Sequence, residues 1–255
     1  MAIYPVIMCG GSGTRLWPVS TSRVPKQFVN LVSGESLFRQ TVKRVALGHD
    51  GLSLADPVII SNARYLGLVE QQLADAGITP LAILLEPCAR NTAAVAAVAA
   101  EYISRIDPDG LVLLLPADHF IGAPDAFRKA IADAVEIAQG GHIVTFGIAP
   151  NRPETGFGYI KAGEAIGASG FTVAAFREKP DMATAMTYIA DDSYSWNAGI
   201  FLFPASLMKT ELGAHAPDVM KGAVAALDAT DSSTKVMLMD KALFSSIRSI
   251  SIDYA

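Results

Sequence analysis

The sequence has 255 residues, of which 51% are hydrophobic and 18% are charged, with a net charge of −5 and two cysteines. This length and apolar content suit a large buried core in one α/β domain, while the net negative charge argues against a nucleic-acid surface. Two cysteines form neither a disulfide framework nor a metal-binding spacing, and no apolar stretch reaches the ~20 residues that span a bilayer. We therefore expect a cytoplasmic globular protein without a nucleic-acid or membrane partner.

The chain opens on a predicted strand that leads into a glycine-rich loop. Ile3 to Cys9 has the length and β-branched content of a buried strand. Thr14-Arg15-Leu16 follows where a P-loop needs Lys and then Ser or Thr, and where a dinucleotide fingerprint needs its third glycine. The loop is either an ordinary turn or an anion cradle built from backbone N–H groups. Its candidate ligand-binding residues are Gly10, Gly11, Gly13, Thr14 and Arg15, with Lys26 shortly after them.

Predicted strands and helices alternate as far as about residue 147. In chain order they are a strand at Ile3–Cys9, a helix at Glu35–Leu47, a strand at Pro57–Ser61, a helix at Tyr65–Ala76, a strand at Leu81–Leu85, a helix at Asn91–Ile106, a strand at Gly110–Leu115, a helix at Pro124–Gln139 and a strand at His142–Gly147. This alternation predicts a doubly wound sheet with ligands at the carboxyl ends of its strands. Gly10, Glu86, Pro116 and Asp118 should therefore lie on one rim.

The composition changes near Asn151 to shorter, glycine-rich segments. Here we expect strands at Phe157–Lys161, Phe171–Glu178 and Ala198–Phe203, and helices at Asp181–Ala190, near Ala205–Ala229 and at Val236–Ser246. No internal repeat or low-complexity linker separates the two parts. The second part should therefore pack on the same sheet as the first.

Glu86-Pro87-Cys88-Ala89-Arg90-Asn91-Thr92-Ala93 stands where a predicted strand ends and a helix begins. Asn91 or Thr92 suits a helix N-cap, which would explain both without a ligand. A Glu86 carboxylate only accepts hydrogen bonds, so it could match a base with adjacent donors such as guanine, while the Asn91 amide could serve either kind of partner. The residues leave the choice between Glu86, Asn91 and backbone groups open.

Asp118 follows a fully apolar predicted strand in the string Leu115-Pro116-Ala117-Asp118-His119. An aspartate at the carboxyl end of a strand can hold Mg²⁺ on substrate phosphates, because Mg²⁺ prefers oxygen ligands and uses one or two carboxylates plus phosphates. The alternative is a turn or helix-capping aspartate. His119 has no second histidine at ligand spacing and is expected to be structural.

Three later strings carry further candidate residues. Gly158 follows an aromatic residue in a glycine-flanked turn, which suits either a hairpin or close backbone approach of a ligand. Glu178 and Lys179 precede a proline and could simply be a solvated ion pair. Asn197 in Trp196-Asn197-Ala198-Gly199 could be a turn residue, and Asp253 could be a solvated residue near the terminus.

Together these strings resemble the sugar-1-phosphate nucleotidylyltransferases, and the resemblance extends from Ile3 to Ala255. The strings that carry it are GGSGTRLWPVS, PKQF, EPCARNTA, LPADH, REKP, WNAG and SIDYA. It implies an α/β fold with a Rossmann-like doubly wound mixed sheet of the nucleotidyltransferase (GT-A-like) type. It also implies a single domain over 1–255, with a nucleotide-binding half at 1–150 and a sugar-phosphate-binding half at 151–255. Such relatives continue past SIDYA, so we expect the catalytic domain without their C-terminal region.

The resemblance is greatest to guanylyltransferases and implies GTP and mannose 1-phosphate as partners, Mg²⁺ as cofactor and GDP-mannose and pyrophosphate as products. It is compatible with a homodimer. The implied catalytic residues are Arg15, Lys26, Asp118 and Lys179. The implied metal ligands are Asp118 and Asp253, the nucleotide ligands are Gly10, Gly11, Gly13, Thr14, Arg15, Lys26, Glu86, Asn91 and Thr92, and the sugar-phosphate ligands are Gly158, Glu178, Lys179 and Asn197.

Two other functions fit the same fold. One is a catalytically weak nucleotide-binding or regulatory module, and the other is a nucleotidylyltransferase for a different hexose 1-phosphate. Retention of five charged residues argues against the module, because a protein released from catalysis has no need of all of them: Arg15, Lys26, Asp118, Lys179 and Asp253. A dinucleotide-dependent dehydrogenase is excluded by the missing third glycine.

Overall fold

The computed structural model of the chain describes residues 1–11, 16–31, 34–46 and 52–255. The strands in this part of the chain are β1 (Ile3–Met8), β2 (Val58–Asn62), β3 (Ala82–Glu86), β4 (Leu111–Pro116), β5 (Val144–Ile148), β6 (Gly158–Ile166), β7 (Gly170–Glu178), β8 (Tyr194–Pro204) and β9 (Val236–Leu238). The helices are α1 (Leu37–Ala46), α2 (Leu66–Ala76), α3 (Asn91–Ile106), α4 (Pro124–Gln139), α5 (Met182–Ile189), α6 (Ala205–His215), α7 (Pro217–Asp228) and α8 (Lys241–Ser246). Short 3-10 turns lie at Lys26–Phe28, Ala63–Tyr65 and Ile252–Tyr254.

The described strands join in one mixed sheet in the order β7-β6-β8-β4-β1-β2-β3-β9, and β5 pairs with β8 off this path. Strands β4, β1, β2, β3 and β9 run parallel. Strand β8 is antiparallel to β4, β5 and β6, and β7 is antiparallel to β6. The α/β class and the mixed sheet expected from the sequence are confirmed.

Two apolar layers enclose the parallel strands. In one layer, helices α3, α6, α7 and α8 pack on one face of the sheet. In the other layer, α1, α2 and α4 pack on the opposite face. Strand residues alternate between them, so that Val112 and Leu114 face the first layer while Leu113 and Leu115 face the second. Burial on both faces explains why these strands read as continuous apolar runs.

The predicted helix at Val236–Ser246 is wrong. Val236–Leu238 forms an edge strand that pairs in parallel with β3, and a separate helix begins at Lys241. The side chain of Asp240 accepts the Leu243 backbone N–H at 2.9 Å and so caps that helix. The apolar residues Val236–Leu238 therefore add a strand at the edge of the sheet, and the Asp240 cap begins helix α8 after it.

The helical region predicted near Ala205–Ala229 is divided in two. Helix α6 ends at His215 and α7 begins at Pro217. Proline lacks the backbone N–H that a helix interior needs, but it suits a first helical position. None of the described helices is both apolar enough and long enough to cross a membrane.

Candidate active site

A cleft of about 610 Å³ lies at the carboxyl ends of β1, β3 and β4. Most of the predicted site residues in the described part of the chain line it: Gly10, Gly11, Glu86, Asn91, Thr92, Asp118, Gly158, Glu178, Asn197 and Asp253. Pro116 lines it as well, so the four residues expected on one rim do meet there. Lys26 and Lys179 are not lining residues, although each is bonded to a carboxylate that is. Gly13, Thr14 and Arg15 lie outside the described residues.

The described start of the glycine loop is held by a buried glutamine. Gln27 is 2% exposed, and its Nε2 donates to the Cys9 carbonyl oxygen at 3.2 Å and to that of Gly10 at 3.5 Å. Gly11 has φ of +91°, a conformation that favours glycine. These bonds fix the direction in which the backbone enters the cleft.

Glu86 ends β3 and is only 3% exposed. Burial raises the pKa of its carboxyl from 4.5 to about 7. The described residues supply no hydrogen bond to this carboxyl, although it lines the cleft. Burial also raises the pKa of the neighbouring Cys9 thiol, with further contributions from the charges of Asp118 and Glu86. The thiol therefore stays protonated and inert, as expected for a reduced structural cysteine.

Asn91 and Thr92 begin α3, but the Thr92 side chain does not cap it. Asn91 has φ of +66°, and its Oδ1 accepts the Thr92 backbone N–H at 2.8 Å. The Thr92 hydroxyl instead accepts the Ile252 backbone N–H at 2.9 Å. The start of α3 is thereby tied to the last turn of the chain, and the capping explanation for Thr92 is wrong.

Asp118 follows β4 and forms an ion pair at the cleft. Its Oδ2 lies 2.6 Å from Lys26 Nζ, with both side chains about one-third exposed. His119 Nε2 is 3.8 Å from Asp118 Oδ1. Burial lowers the pKa of His119, and this outweighs the opposing effect of the Asp118 charge. The histidine is therefore neutral, and Lys26 is the cation that Asp118 meets.

Asp253 is ordered by side chains from two other elements. Its Oδ1 accepts from Asn197 Nδ2 at 3.0 Å, and its Oδ2 accepts from Ser251 Oγ at 2.5 Å. The Asn197 Oδ1 accepts from Thr145 Oγ1 and from the Gly199 backbone N–H, each at 3.0 Å. Asp253 is thus a fixed, half-buried cleft residue, and the alternative of a solvated terminal side chain is wrong.

Glu178 and Lys179 form an ion pair next to the cleft. Lys179 Nζ donates to Glu178 Oε1, and this bond, together with the Glu178 charge, raises the pKa of Lys179. The lysine side chain is 61% exposed while that of Glu178 is 11% exposed. A Cβ on Gly158 would lie 2.6 Å from Glu178 Oε2, so the glycine leaves the space that Glu178 occupies.

Among the described residues, positive φ at a non-glycine position is confined to Asn91 and Lys179. Such conformations cost on the order of 1 kcal/mol or more and are often retained at functional sites. Both residues were predicted from the sequence to contact substrate.

The chain matches the nucleotidyl transferase family model over residues 4–242. It belongs to the nucleotidyl transferase family. It is 42% identical over 99% of its length to "Mannose-1-phosphate guanylyltransferase" of Sinorhizobium fredii (strain NBRC 101917 / NGR234), of which it covers 49%. It is 43% identical over 99% of its length to "Xanthan biosynthesis protein XanB" of Xanthomonas campestris pv. campestris (strain B100), of which it covers 53%.

A crystal structure named mannose-1-phosphate geranyltransferase from Thermus thermophilus superimposes on the chain with a TM-score of 0.84. The two are 31% identical, and the match covers 100% of this chain and 70% of the other. This nucleotidyl transferase chain spans about half the length of the curated relatives it matches. The family resemblance read from the sequence motifs is confirmed.

Asp118 and Asp253 are the carboxylates of this nucleotidyl transferase cleft that could hold a magnesium ion. Asp118 and Asp253 both line the cleft, whereas the described residues contain no cluster of three or more Asp, Glu, His or Cys side chains that could hold a metal. A protein-bound Mg²⁺ ion typically has one or two carboxylate ligands, and phosphates and water provide its other ligands. Two of the four acceptor positions of Asp253 are used by protein donors, which leaves others for an ion.

Sequence reasoning missed three residues that shape this nucleotidyl transferase site. Gln27 and Ser251 were noticed only as parts of the strings PKQF and SIDYA. Thr145 carried no signal. The two hydroxyls gain a role only when folding brings them to Asn197 and Asp253.

Proposed function

We propose that this chain transfers GMP from GTP to α-D-mannose 1-phosphate and releases GDP-mannose and pyrophosphate. One observation carries the proposal: a single cleft gathers Gly10 and Gly11 at the described start of the glycine loop, the buried Glu86, the carboxylates Asp118 and Asp253, and Glu178. A glycine loop suits phosphates, and each of the other groups suits a different part of the two substrates. The name of the Sinorhizobium relative, mannose-1-phosphate guanylyltransferase, supports this choice of substrates.

Glu86 is the residue that we propose to recognise the guanine base. Its two oxygens can accept from the adjacent ring N–H and amino donors of guanine, whereas adenine does not offer this pair. These oxygens belong to a buried carboxyl that lines the cleft and to which the described residues provide no hydrogen bond. With a pKa of about 7, a substantial fraction is ionised at neutral pH and ready to accept.

The reacting groups need alignment more than proton transfer. The sugar phosphate is already ionised, so its oxygen can attack the α-phosphorus without a general base, and the barrier falls through in-line placement and charge neutralisation. We assign the incoming sugar phosphate to Lys179, and the α-phosphate and departing pyrophosphate to Lys26 and Arg15. Asp118 and Asp253 would hold Mg²⁺, which would supply additional positive charge to the phosphate oxygens.

Glu178 is the proposed sugar ligand. Its carboxylate lines the cleft, with the Lys179 ammonium on one oxygen. The free lone pairs can accept hydrogen bonds from hexose hydroxyls. Asn197 lines the same end, but its amide is already bonded to Thr145, Gly199 and Asp253, which leaves one N–H for a sugar.

The test is to identify the product. Incubation with GTP, mannose 1-phosphate and Mg²⁺ should give GDP-mannose and pyrophosphate in equal amounts, detected by chromatography. Asp118→Asn should lower the rate of product formation by about 10³-fold, while Asp192→Asn, at an exposed aspartate outside the cleft, should not lower it. GTP binding without any product would contradict the proposal and favour a nucleotide-binding module.

A further inference from the structure

We propose that Thr145 and Ser251 are positioning residues that fix the Asp253 carboxylate in the orientation needed to bind a divalent cation. This inference rests on the proposed function, in which Asp253 is a metal ligand. Its basis is a pair of hydrogen-bond chains, each of which ends on a different oxygen of Asp253. One comes from the sheet and the other from the start of α3.

The first hydrogen-bond chain passes through the side chain of Asn197. The Asn197 Oδ1 accepts from two donors, Thr145 Oγ1 and the Gly199 backbone N–H, each at 3.0 Å. An oxygen is needed at that position, so the amide nitrogen must point the other way, towards Asp253 Oδ1 at 3.0 Å. The Gly199 N–H, which can only donate, therefore requires the amide orientation that lets Asn197 donate to the carboxylate. The Thr145 hydroxyl, which lies nearer to Asn197 Oδ1 than to the Ile200 carbonyl oxygen at 3.4 Å, adds a second donor that holds this orientation.

A bulge in the sheet brings Thr145 and Asn197 together. Thr145 of strand β5 pairs with Phe201 of β8, and Gly147 pairs with Asn197. An advance of two residues along β5 therefore corresponds to four residues along β8, which makes a bulge in β8. Gly199 lies inside this irregularity with φ of +65°. Bulges redirect side chains beside functional sites, and here the hydroxyl of one strand reaches the side-chain amide of its neighbour.

The second chain comes from the α3 start. The Thr92 hydroxyl accepts the Ile252 N–H and lies 3.2 Å from Ser251 Oγ. Ser251 Oγ in turn donates to Asp253 Oδ2 at 2.5 Å. Each hydroxyl has one proton, so the consistent direction is from Thr92 to Ser251 to Asp253. Both carboxylate oxygens are thus oriented by donors.

This arrangement gives Asp253 the fixed orientation that a metal ligand requires. Hydrogen bonds behind a ligand hold its orientation. Since one donor reaches each oxygen, the orientation of the carboxylate, and with it that of its remaining lone pairs, is fixed. Loss of either hydrogen-bond chain should weaken cation binding without changing the charge of the cleft.

The experiment compares Thr145→Val, which removes the hydroxyl at nearly constant shape, with Thr145→Ser, which keeps it. Thr187→Val is the matched control, because Thr187 is exposed and its hydroxyl donates to the Thr184 carbonyl oxygen within helix α5. Mn²⁺ binding is measured by electron paramagnetic resonance of the free ion, with a GTP analogue that carries a methylene between the α- and β-phosphates. Melting temperature and analogue affinity without metal are measured for every variant.

Thr145→Val should raise the Mn²⁺ dissociation constant about tenfold, with analogue affinity in the absence of metal and melting temperature unchanged. Ser251→Ala should act in the same direction. Thr145→Ser and Thr187→Val should bind Mn²⁺ like the original chain. Unchanged Mn²⁺ binding in both Thr145→Val and Ser251→Ala, together with weakened binding in Asp253→Asn, would overturn the positioning role and leave the proposed function intact. Unchanged binding in Asp253→Asn would overturn this inference together with the metal assignment.

Discussion

The two sides of the cleft are built in different ways. The side that we propose to bind the nucleotide, called the nucleotide side, rests on β1 to β4, whose residues are almost all buried between two helical layers. The side that we propose to bind the sugar phosphate, called the sugar side, rests on β5 to β8, where β7 is exposed along nearly its whole length. The first side places its strands by packing, with Gln27 holding the loop, whereas the second depends more on hydrogen bonds between side chains.

This difference appears in the carboxylates themselves. Glu86 is held by burial alone and has its pKa raised to about 7 as a result. Asp253 is half-buried and is held by donors on both oxygens. Substitutions on the nucleotide side should therefore change stability strongly, whereas those on the sugar side should change ligand binding with little effect on stability.

The largest effect is expected for Asp118→Asn, at the meeting point of the two sides. Removal of its charge frees Lys26 and eliminates a proposed metal ligand, so turnover should fall by about 10³-fold. Steady-state kinetics with Mg²⁺ measures this, with Asp192→Asn as control. A loss no greater than that of the control would remove Asp118 from the mechanism.

Glu86→Gln should stabilise the protein in a pH-dependent way. The folded-state pKa is raised, so the stability that comes from the neutral carboxyl is fully present below about 4.5 and is lost as pH rises through about 7. The glutamine variant should thus exceed the original chain by about 3 kcal/mol at about pH 8 and match it near pH 4.5.

Urea unfolding at both pH values measures this difference for Glu86→Gln. Glu70→Gln, at an exposed site on α2, controls for the chemical change itself. If Glu86→Gln changes the free energy of unfolding by the same amount at both pH values, burial of the ionised Glu86 carboxylate does not destabilise the fold, which would contradict this prediction. The same variant should lose preference for GTP over ATP.

Paired valine substitutions compare the two sides directly. Val112 on β4 is 0% exposed and Val173 on β7 is 53% exposed. Val112→Ala should lower the free energy of unfolding by about 2.5 kcal/mol because it removes buried methyl groups and leaves a cavity. Val173→Ala should change it by less than about 0.5 kcal/mol. Similar values from denaturant unfolding would contradict the proposed difference in construction.

Lys179→Ala tests the sugar side alone. One charge-assisted contact to the sugar phosphate is lost, so KM for mannose 1-phosphate should rise about 30-fold, equivalent to about 2 kcal/mol. KM for GTP should be nearly unchanged. By contrast, Arg15→Ala should mainly lower kcat. Equal, small effects of both changes in initial-rate kinetics would reject these assignments.

Much of the nucleotide side was predictable because its elements are long and uniform. Helices α3 and α4 have the predicted bounds, and Glu86 and Asp118 were found because each follows an apolar predicted strand, where a doubly wound sheet binds its ligands. The short edge strand β9 was missed, since three apolar residues give no periodicity that separates strand from helix.

The sugar side was harder to read because its geometry depends on contacts distant in sequence. Thr145 and Asn197 are 52 residues apart, and a bulge that no local pattern announces joins them. The resemblance supplied Asn197 as a sugar ligand but gave no indication that its amide orients Asp253. Side-chain networks of this kind appear only after folding.

The most direct test of the account is pyrophosphate release with Mg²⁺, measured for GTP, ATP, UTP and dTTP with mannose 1-phosphate, and then for the best nucleotide with glucose 1-phosphate. The account predicts release with GTP and mannose 1-phosphate, and much slower release for every other pair. Equal rates with GTP and ATP, or with the two sugars, would contradict the assignment of Glu86 to guanine or of the opposite end to mannose. No release from any pair would contradict the proposed reaction itself.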